Sequence, residues 1–208
     1  MVFESREDAG RKLGLHLKSR GVETHLVLGL PRGGVIVAAE VARILDVPLD
    51  VLIVRKIGHP LHREFAVGAL AEGEVVLLDE RLVGLNPFVR TELQSIIREE
   101  AARLKTYQAR FHRSGPLSIA GQSVLLVDDG LATGATTEAA VLSARKHNAG
   151  QVVVTAPVAS AQAVERLSRT ADQVIALHVD PDFDAVGRYY EMFTQTSDEE
   201  VLWALKAA

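Results

Sequence analysis

Short apolar runs alternate along this chain with longer stretches in which apolar residues recur at helical spacing. The runs lie at residues 25–28, 51–54, 75–78, 124–127, 152–156 and 174–177. Most of them are continuously apolar, which is typical of strands buried on both faces of a parallel sheet. The intervening stretches 34–45, 134–147 and 161–168 have helical patterns. Together they predict an α/β fold, a Rossmann-like parallel sheet flanked by helices.

Two segments depart from this alternation. From residue 88 to about residue 112, apolar residues at helical spacing lie between charged ones, which predicts a long amphipathic helix that covers a sheet face or supplies a dimer surface. Near the C-terminus, Ser197 followed by Glu200 forms a capping box that predicts a final helix. We therefore expect a single domain over residues 1–208, with a helical insertion at about 86–114 and a small C-terminal hood at about 158–208.

Composition and charge narrow the class of protein. Of the 208 residues, 48 % are hydrophobic, enough for a substantial core. The formal net charge of −4 indicates no global basic surface, so nucleic acid is not an expected partner. There is no cysteine, no apolar signal core and no run near the roughly 18 apolar residues that span a bilayer. We expect a cytoplasmic protein without membrane contact.

The stretch SVLLVDDGLATGATTEAAV, residues 123–141, sets two carboxylates directly after a buried strand. Parallel sheets bind ligands beyond the carboxyl ends of their strands, so Asp128 and Asp129 lie at that edge. The turn that follows opens a helix, whose free N–H groups bind anions; Gly134 permits close approach, and hydroxyls come from Thr133, Thr136 and Thr137. The two carboxylates would repel a phosphate, so they must face another part of the ligand. A vicinal diol is the natural candidate, because ionised carboxylates only accept hydrogen bonds, and the sequence therefore favours a ribose 5-phosphate. The alternative is an ordinary helix N-cap with Asp129 as the capping acid.

A second turn, in LGLPRGGVIVAAEVA at residues 28–42, repeats this arrangement after the first strand. Pro31, Arg32, Gly33 and Gly34 combine a flexible backbone, one cation and a helix N-terminus, which suits pyrophosphate. The alternative is an ordinary strand–helix turn with a solvated Arg32.

The end of the second strand adds two more cations. Arg55 and Lys56 are predicted to meet the same pyrophosphate. The following stretch, residues 58–73, is compatible with a lid, although its apolar part also fits a sheet edge. His59 and His62 have the pattern of solvated loop histidines, and their role stays open.

VLLVDDGLATGAT, residues 124–136, resembles position by position the phosphoribosyl pyrophosphate motif of type I phosphoribosyltransferases. The resemblance implies that Asp128 and Asp129 face the ribose 2- and 3-hydroxyls. It also implies a 5-phosphate loop, which comprises Ala132, Thr133, Gly134, Ala135 and Thr136. Residues 31–34 resemble the pyrophosphate loop of the family, where a non-proline cis peptide is frequent, here Pro31–Arg32. Residues 58–73 correspond to its mobile catalytic loop, and residues 55–60 resemble adenine phosphoribosyltransferases.

The resemblance implies transfer of a phosphoribosyl group from phosphoribosyl pyrophosphate to a small nitrogenous base, with pyrophosphate leaving. Arg32, Lys56 and Mg²⁺ neutralise the leaving group, and the metal is carried mainly by the diphosphate, without dedicated protein ligands. A homodimer is compatible with this assignment. The alternatives are a non-catalytic sensor that binds the donor and a hydrolase with water as acceptor.

The acceptor base is not defined by the sequence. The hood resembles that of an uncharacterised phosphoribosyltransferase-like group. Its apolar and aromatic side chains are expected either to stack on the base or to pack the hood against the core. These side chains are Phe183, Val186, Tyr189, Tyr190 and Phe193.

Overall fold

The structure, a computed structural model, describes residues 1–84, 87–112, 115 and 117–207. Its helices are α1 (Arg6–Ser19), α2 (Gly33–Leu45), α3 (Glu80–Val83), α4 (Pro87–Phe111), α5 (Ala135–Lys146), α6 (Ala161–Leu167) and α7 (Asp198–Ala207). Its strands are β1 (Leu26–Gly29), β2 (Leu49–Val51), β3 (Val54–His59), β4 (His62–Ala71), β5 (Val75–Leu78), β6 (Ser123–Val127), β7 (Gln151–Ser160) and β8 (Gln173–Asp180). A 3₁₀ turn spans Val186–Tyr189.

Five strands form the parallel sheet predicted from the apolar runs, in the order β2-β1-β6-β7-β8. The register pairs Gly29 of β1 with Val127 of β6. The two strands therefore end side by side, and the turn after β1 lies beside the turn after β6 at the same edge of the sheet. Strand order, rather than any local pattern, brings the two predicted ligand-binding turns together.

Three further strands form a separate antiparallel sheet, in the order β3-β4-β5. The apolar run 51–54 is divided between the last residue of β2 and the first of β3, and the run 75–78 is the edge strand β5 of this second sheet. Residues 58–73, compatible with a lid or, in their apolar part, with a sheet edge, form most of a β3–β4 hairpin that continues into β5. The apolar part belongs to the sheet, as its pattern allowed, although as the central strand β4 and not at an edge, and Val67, Ala69 and Leu70 are buried there.

The long helix is confirmed as α4, and it covers one face of the second sheet. Its buried residues Leu93, Ile96 and Leu104 share a hydrophobic cluster with Ile57 and Val67 of the hairpin. The ends of the predicted insertion, residues 86, 113 and 114, lie outside the described residues.

A buried polar cluster links α4 to both sheets. His112 Nε2 lies 2.9 Å from Glu72 Oε1, and its Nδ1 lies 3.3 Å from Asp50 Oδ1. Glu72 Oε1 also accepts a hydrogen bond from Ile53 N at 2.7 Å, in the short connection between β2 and β3. Burial lowers the pKa of His112, but the hydrogen bonds and charges of Asp50 and Glu72 outweigh it and raise that pKa to about 9. The cluster therefore fixes the start of the strand that carries Lys56.

The N-terminal helix α1 has no counterpart among the predicted elements. Ser5 caps it by accepting a hydrogen bond from Asp8 N at 3.3 Å, and the Asp8 carboxylate accepts one from Glu4 N at 3.2 Å. The spacing Ser-x-x-Asp is a start signal visible in the sequence. Helix α1 packs on α2, with Leu13 and Leu17 fully buried.

The C-terminal segment differs from the expected hood. Residues 161–180 contain helix α6 and strand β8, and β8 is an edge strand of the main sheet. The part of the expected hood that reaches the ligand edge therefore lies within residues 185–193. The predicted capping box is present at α7, where Ser197 N donates to Glu200 Oε2 at 2.6 Å and Glu200 N to Ser197 Oγ at 3.1 Å. Among the described residues, none of the helices has both the length and the apolar character required to cross a membrane.

Candidate functional site

A cavity of about 390 Å³ opens at the carboxyl ends of β1 and β6. Its walls combine the turn after β1, the start of the second sheet, the whole segment after β6 and two residues of the C-terminal segment. They consist of Leu30, Pro31, Arg32, Gly33, Val54, Lys56, residues 128–137, Val186 and Phe193. All of the predicted site residues except Gly34 and Arg55 are brought together here.

The two acids are held in different ways. Asp128 Oδ1 accepts a hydrogen bond from Asp129 N at 2.9 Å, and Asp128 Oδ2 accepts one from the Thr137 hydroxyl at 3.4 Å. Burial and the neighbouring Asp129 charge raise the pKa of Asp128 to about 7, against the opposing effect of the Lys56 charge. The charged form of this carboxyl group is therefore disfavoured in the ligand-free site, and a cationic or hydroxyl-bearing ligand favours it.

Asp129 is held by Arg6, a residue that the sequence reasoning missed. Arg6 Nε donates to Asp129 Oδ2 at 2.7 Å, and the two side chains are only 11 % and 16 % exposed. Arg6 also donates to the Thr194 carbonyl at 2.8 Å, and its guanidinium lies 4.1 Å from the centre of the Phe193 ring. A separation of 123 residues leaves no local sequence signal for this ion pair.

The start of α5 has the form expected of a phosphate loop. Gly134 is the N-cap residue and has a left-handed backbone with φ of 73°, which favours glycine. Asp129 is therefore not the cap of this helix, and the ordinary N-cap alternative is wrong. The first N–H groups of α5 have no partner within the helix, and residues 133–137 line the cavity, an arrangement that is able to bind an anion.

Two glycines allow the turn after β1 to touch the acids. A Cβ atom at Gly33 would overlap Asp129 Oδ2, and one at Gly34 would lie 2.8 Å from the Val127 carbonyl oxygen. Gly34 thus packs beneath Asp128 instead of lining the cavity. The Pro31–Arg32 peptide bond is cis, as the resemblance implies.

The predicted cations separate into two groups. Arg32 and Lys56 line the cavity, and Arg32 Nη1 lies 3.6 Å from Asp198 Oδ1. Arg55 does not reach the cavity, because neighbouring side chains of a strand point to opposite faces. Its Nε donates to Glu100 Oε2 at 2.9 Å, and this corrects its predicted place among the substrate-binding residues.

Of the predicted hood side chains, Val186 and Phe193 line the cavity. Tyr189 is buried and donates to Asp180 Oδ2 at 2.7 Å, and the buried Tyr190 donates to the Asp129 carbonyl oxygen at 2.6 Å. Phe183 stacks on Tyr189, with ring centres 5.2 Å apart. These three aromatics therefore pack the segment to the core, one of the two roles left open by the sequence.

His59 and His62 face one another at the end of the β3–β4 hairpin. Their ring centres are 6.1 Å apart, and His59 Nδ1 accepts a hydrogen bond from Leu61 N at 3.2 Å. Neither residue lines the cavity.

Comparison with known proteins adds independent information. A family model described as "Phosphoribosyl transferase domain" matches residues 14–188. Over 208 residues the chain is 41 % identical to "Putative phosphoribosyl transferase Rv0571c" from Mycobacterium tuberculosis (strain ATCC 25618 / H37Rv). The match covers 100 % of this chain and 47 % of that protein, so the chain spans about half the length of the curated relatives it matches.

Solved structures agree with this assignment. The crystal structure of TT1426 from Thermus thermophilus is 43 % identical and covers 99 % of this chain and 98 % of its own, with a TM-score of 0.80. The AQ2163 protein from Aquifex aeolicus, 14 % identical, shares the fold alone, with a TM-score of 0.53 over 88 % of this chain and 78 % of that one. The chain belongs to the phosphoribosyl transferase domain family, with the type I phosphoribosyltransferase fold that the motif at residues 124–136 predicts.

Proposed function

We propose that the chain binds phosphoribosyl pyrophosphate and transfers its 5-phosphoribosyl group to a nitrogenous base, with release of pyrophosphate. This proposal rests on one observation: three kinds of chemical group surround a single cavity. These are the carboxylates of Asp128 and Asp129, the N–H groups at the start of α5 and the cations of Arg32 and Lys56.

For each part of the donor, the cavity has residues of complementary chemistry. The 5-phosphate suits the loop of residues 132–136, where backbone N–H groups and the hydroxyls of Thr133 and Thr136 donate hydrogen bonds. The ribose 2- and 3-hydroxyls donate to the carboxylates of Asp128 and Asp129. Arg32 and Lys56 bind the diphosphate.

The same groups act on the reaction itself. As the C1–O bond breaks, its electron pair leaves with pyrophosphate, and positive charge develops on the ribose ring. Arg32 and Lys56 offset the charge of the leaving group, while the two carboxylates offset that of the ring. The acceptor nitrogen forms the new C1–N bond with its lone pair, and its proton passes to water. Phe193 and Val186, which both line the cavity, offer apolar surface for a flat base.

Magnesium fits this site as a companion of the substrate. Among the described residues, no group of three or more His, Asp or Glu side chains is arranged to hold a metal ion. Asp128 and Asp129 already accept hydrogen bonds from Asp129 N, the Thr137 hydroxyl and Arg6, and we assign their remaining lone pairs to the ribose hydroxyls. Carried by the diphosphate, Mg²⁺ would supply further neutralisation of the leaving group.

The test is pyrophosphate release from the purified chain with the donor, Mg²⁺ and a panel of purine and pyrimidine bases. Release that requires one base supports the transferase. Release without any base indicates hydrolysis, and tight donor binding without release indicates a sensor; either result overturns the proposed transfer. Lys56→Ala should abolish most of the base-dependent release. Lys105→Ala, an exposed lysine of α4, is the matched control.

A further inference from the structure

Asp198, the first residue of α7, lies between two arginines from different parts of the fold. Its Oδ2 lies 2.5 Å from Arg110 Nη1 of α4, and its Oδ1 lies 3.6 Å from Arg32 Nη1. Asp198 Oδ1 is buried, and within the described part of the chain it has no hydrogen-bond partner. Asp198 has no part in the proposed transfer chemistry.

A buried carboxylate oxygen without a hydrogen bond is costly, and native structures rarely leave one without a reason. The cation that lies near this oxygen is Arg32, at a distance typical of an ion pair but too long for a hydrogen bond. A guanidinium group has five N–H donors in a planar fork, so Nη1 can face Asp198 while the others face a ligand.

The carboxylate of Asp198 is fixed relative to Arg32 by packing. Helix α7 docks on α2, the helix that Arg32 caps, and Val201 and Ala204 of α7 share a buried cluster with Val35 of α2. Arg110 holds the second oxygen of Asp198 from α4. Three elements thus hold one carboxylate beside the cation at the proposed pyrophosphate end of the cavity.

We propose that Asp198 is a positioning residue that holds the Arg32 guanidinium in the orientation that binds pyrophosphate. The inference rests on the proposed function, in which Arg32 contacts the leaving group. A free arginine side chain has many rotamers, and their loss on binding weakens affinity. An arginine already restrained by Asp198 avoids much of that loss.

The negative charge of Asp198 by itself would change pyrophosphate affinity in the opposite direction. A carboxylate near the diphosphate repels it, so if charge alone mattered, removal of Asp198 would strengthen pyrophosphate binding. The two effects therefore predict opposite changes in a single measurement.

The experiment is calorimetric titration with pyrophosphate in the presence of Mg²⁺, and separately with ribose 5-phosphate. Asp198→Ala is expected to weaken pyrophosphate binding roughly tenfold, a coupling in the range found for contacting residues, with ribose 5-phosphate affinity unchanged. Asp198→Glu should recover part of the loss. Glu199→Gln is the matched control, because Glu199 is exposed, pairs with Arg110 at 2.9 Å and does not contact Arg32.

A double-mutant cycle separates positioning from a general structural role. In an Arg32→Ala background, Asp198→Ala should cause no further loss of pyrophosphate affinity, since its effect passes through Arg32. Additive losses, equal losses for both ligands, or unchanged or tighter pyrophosphate binding in the single variant overturn the inference. If the wild type itself does not bind pyrophosphate, the proposed function fails. If Arg32→Ala loses pyrophosphate but Asp198→Ala does not, the positioning role alone fails.

Discussion

Replacing Asp128 by Asn is expected to stabilise the ligand-free protein while weakening its ligand binding. Folding raises the pKa of Asp128 from 3.8 to about 7, so the folded state binds its proton more tightly than the unfolded state does. The resulting loss of stability is absent below pH 3.8 and complete above pH 7. At about 1.4 kcal/mol for each pH unit, it reaches at most about 4 kcal/mol. An Asn side chain keeps an acceptor for Asp129 N and removes this penalty.

The same substitution at the next residue is expected to have the opposite effect on stability. Asp129→Asn leaves Arg6, whose side chain is 11 % exposed, without the charge of its partner. The remaining amide oxygen still accepts a hydrogen bond from Arg6, so the cost should be about 1–3 kcal/mol rather than that of a fully broken buried pair. Relief of repulsion with Asp128 offsets part of that cost. The expected order of stability is therefore Asp128→Asn above wild type and Asp129→Asn below it.

Both variants should bind ribose 5-phosphate and the donor more weakly. Each loses the charge that strengthens a hydrogen bond from a ribose hydroxyl, for an expected loss of roughly 10- to 100-fold in affinity. The free energy of unfolding is measured by urea denaturation at pH 4.5 and pH 8 with EDTA present, and affinity by calorimetry at pH 8. The stability gain of Asp128→Asn should be large at pH 8 and small at pH 4.5.

Two results would refute this reasoning. A gain for Asp128→Asn that does not change between the two pH values would show that the raised pKa is not its cause. Wild-type donor affinity in both variants would remove the carboxylates from the binding site, and with them the basis of the proposed function.

Three further outcomes are expected. Thr136→Ala should weaken ribose 5-phosphate binding roughly 10-fold or more, with a melting temperature close to wild type, because it removes a hydroxyl donor to a charged group. Arg32→Ala should weaken pyrophosphate binding in calorimetry and spare ribose 5-phosphate; equal losses would indicate a structural residue. Because His112 has a pKa raised from 6.5 to about 9, its contribution to stability is complete below pH 6.5 and lost as the pH rises through 9. The unfolding free energy of wild type minus that of His112→Gln should accordingly fall by up to about 3 kcal/mol between pH 6.5 and pH 10 in urea titrations.

Local patterns in the sequence predicted most of the main sheet and the two ligand-binding turns. Continuous apolar runs are typical of strands buried on both faces, which holds for β1, β6 and β7; the edge strand β8 has the same apolar pattern but is only partly buried. The Asp-Asp turn and the glycine-rich turn were predictable for a similar reason. A backbone that closely approaches an anion leaves room only for small side chains, so such a turn is rich in small residues. Each of these patterns lies within a few consecutive residues and does not depend on residues that are distant in the sequence.

The second sheet was not predictable in this way. The run 51–54 has the pattern of one strand, yet the chain leaves the parallel sheet after Val51 and enters the antiparallel one at Val54. Glu72 holds that connection through Ile53 N, and it comes from the far end of the hairpin. An apolar run reports that residues are buried, but not in which sheet.

The largest differences concern side chains whose partners are distant in sequence. Arg55 and Lys56 are adjacent cations in the sequence, and the alternation of β3 sends only Lys56 of these two to the cavity. Arg6 and Asp198 belong to no recognisable motif. The packing of α1 and α7 on α2 nevertheless brings Arg6 to Asp129 and Asp198 to Arg32. The order of residues alone establishes which chemical groups stand at the ends of which strands. Folding then selects which of those groups share one cavity and which charges hold them, because charge pairing depends on distances of a few ångströms between residues that are far apart along the chain.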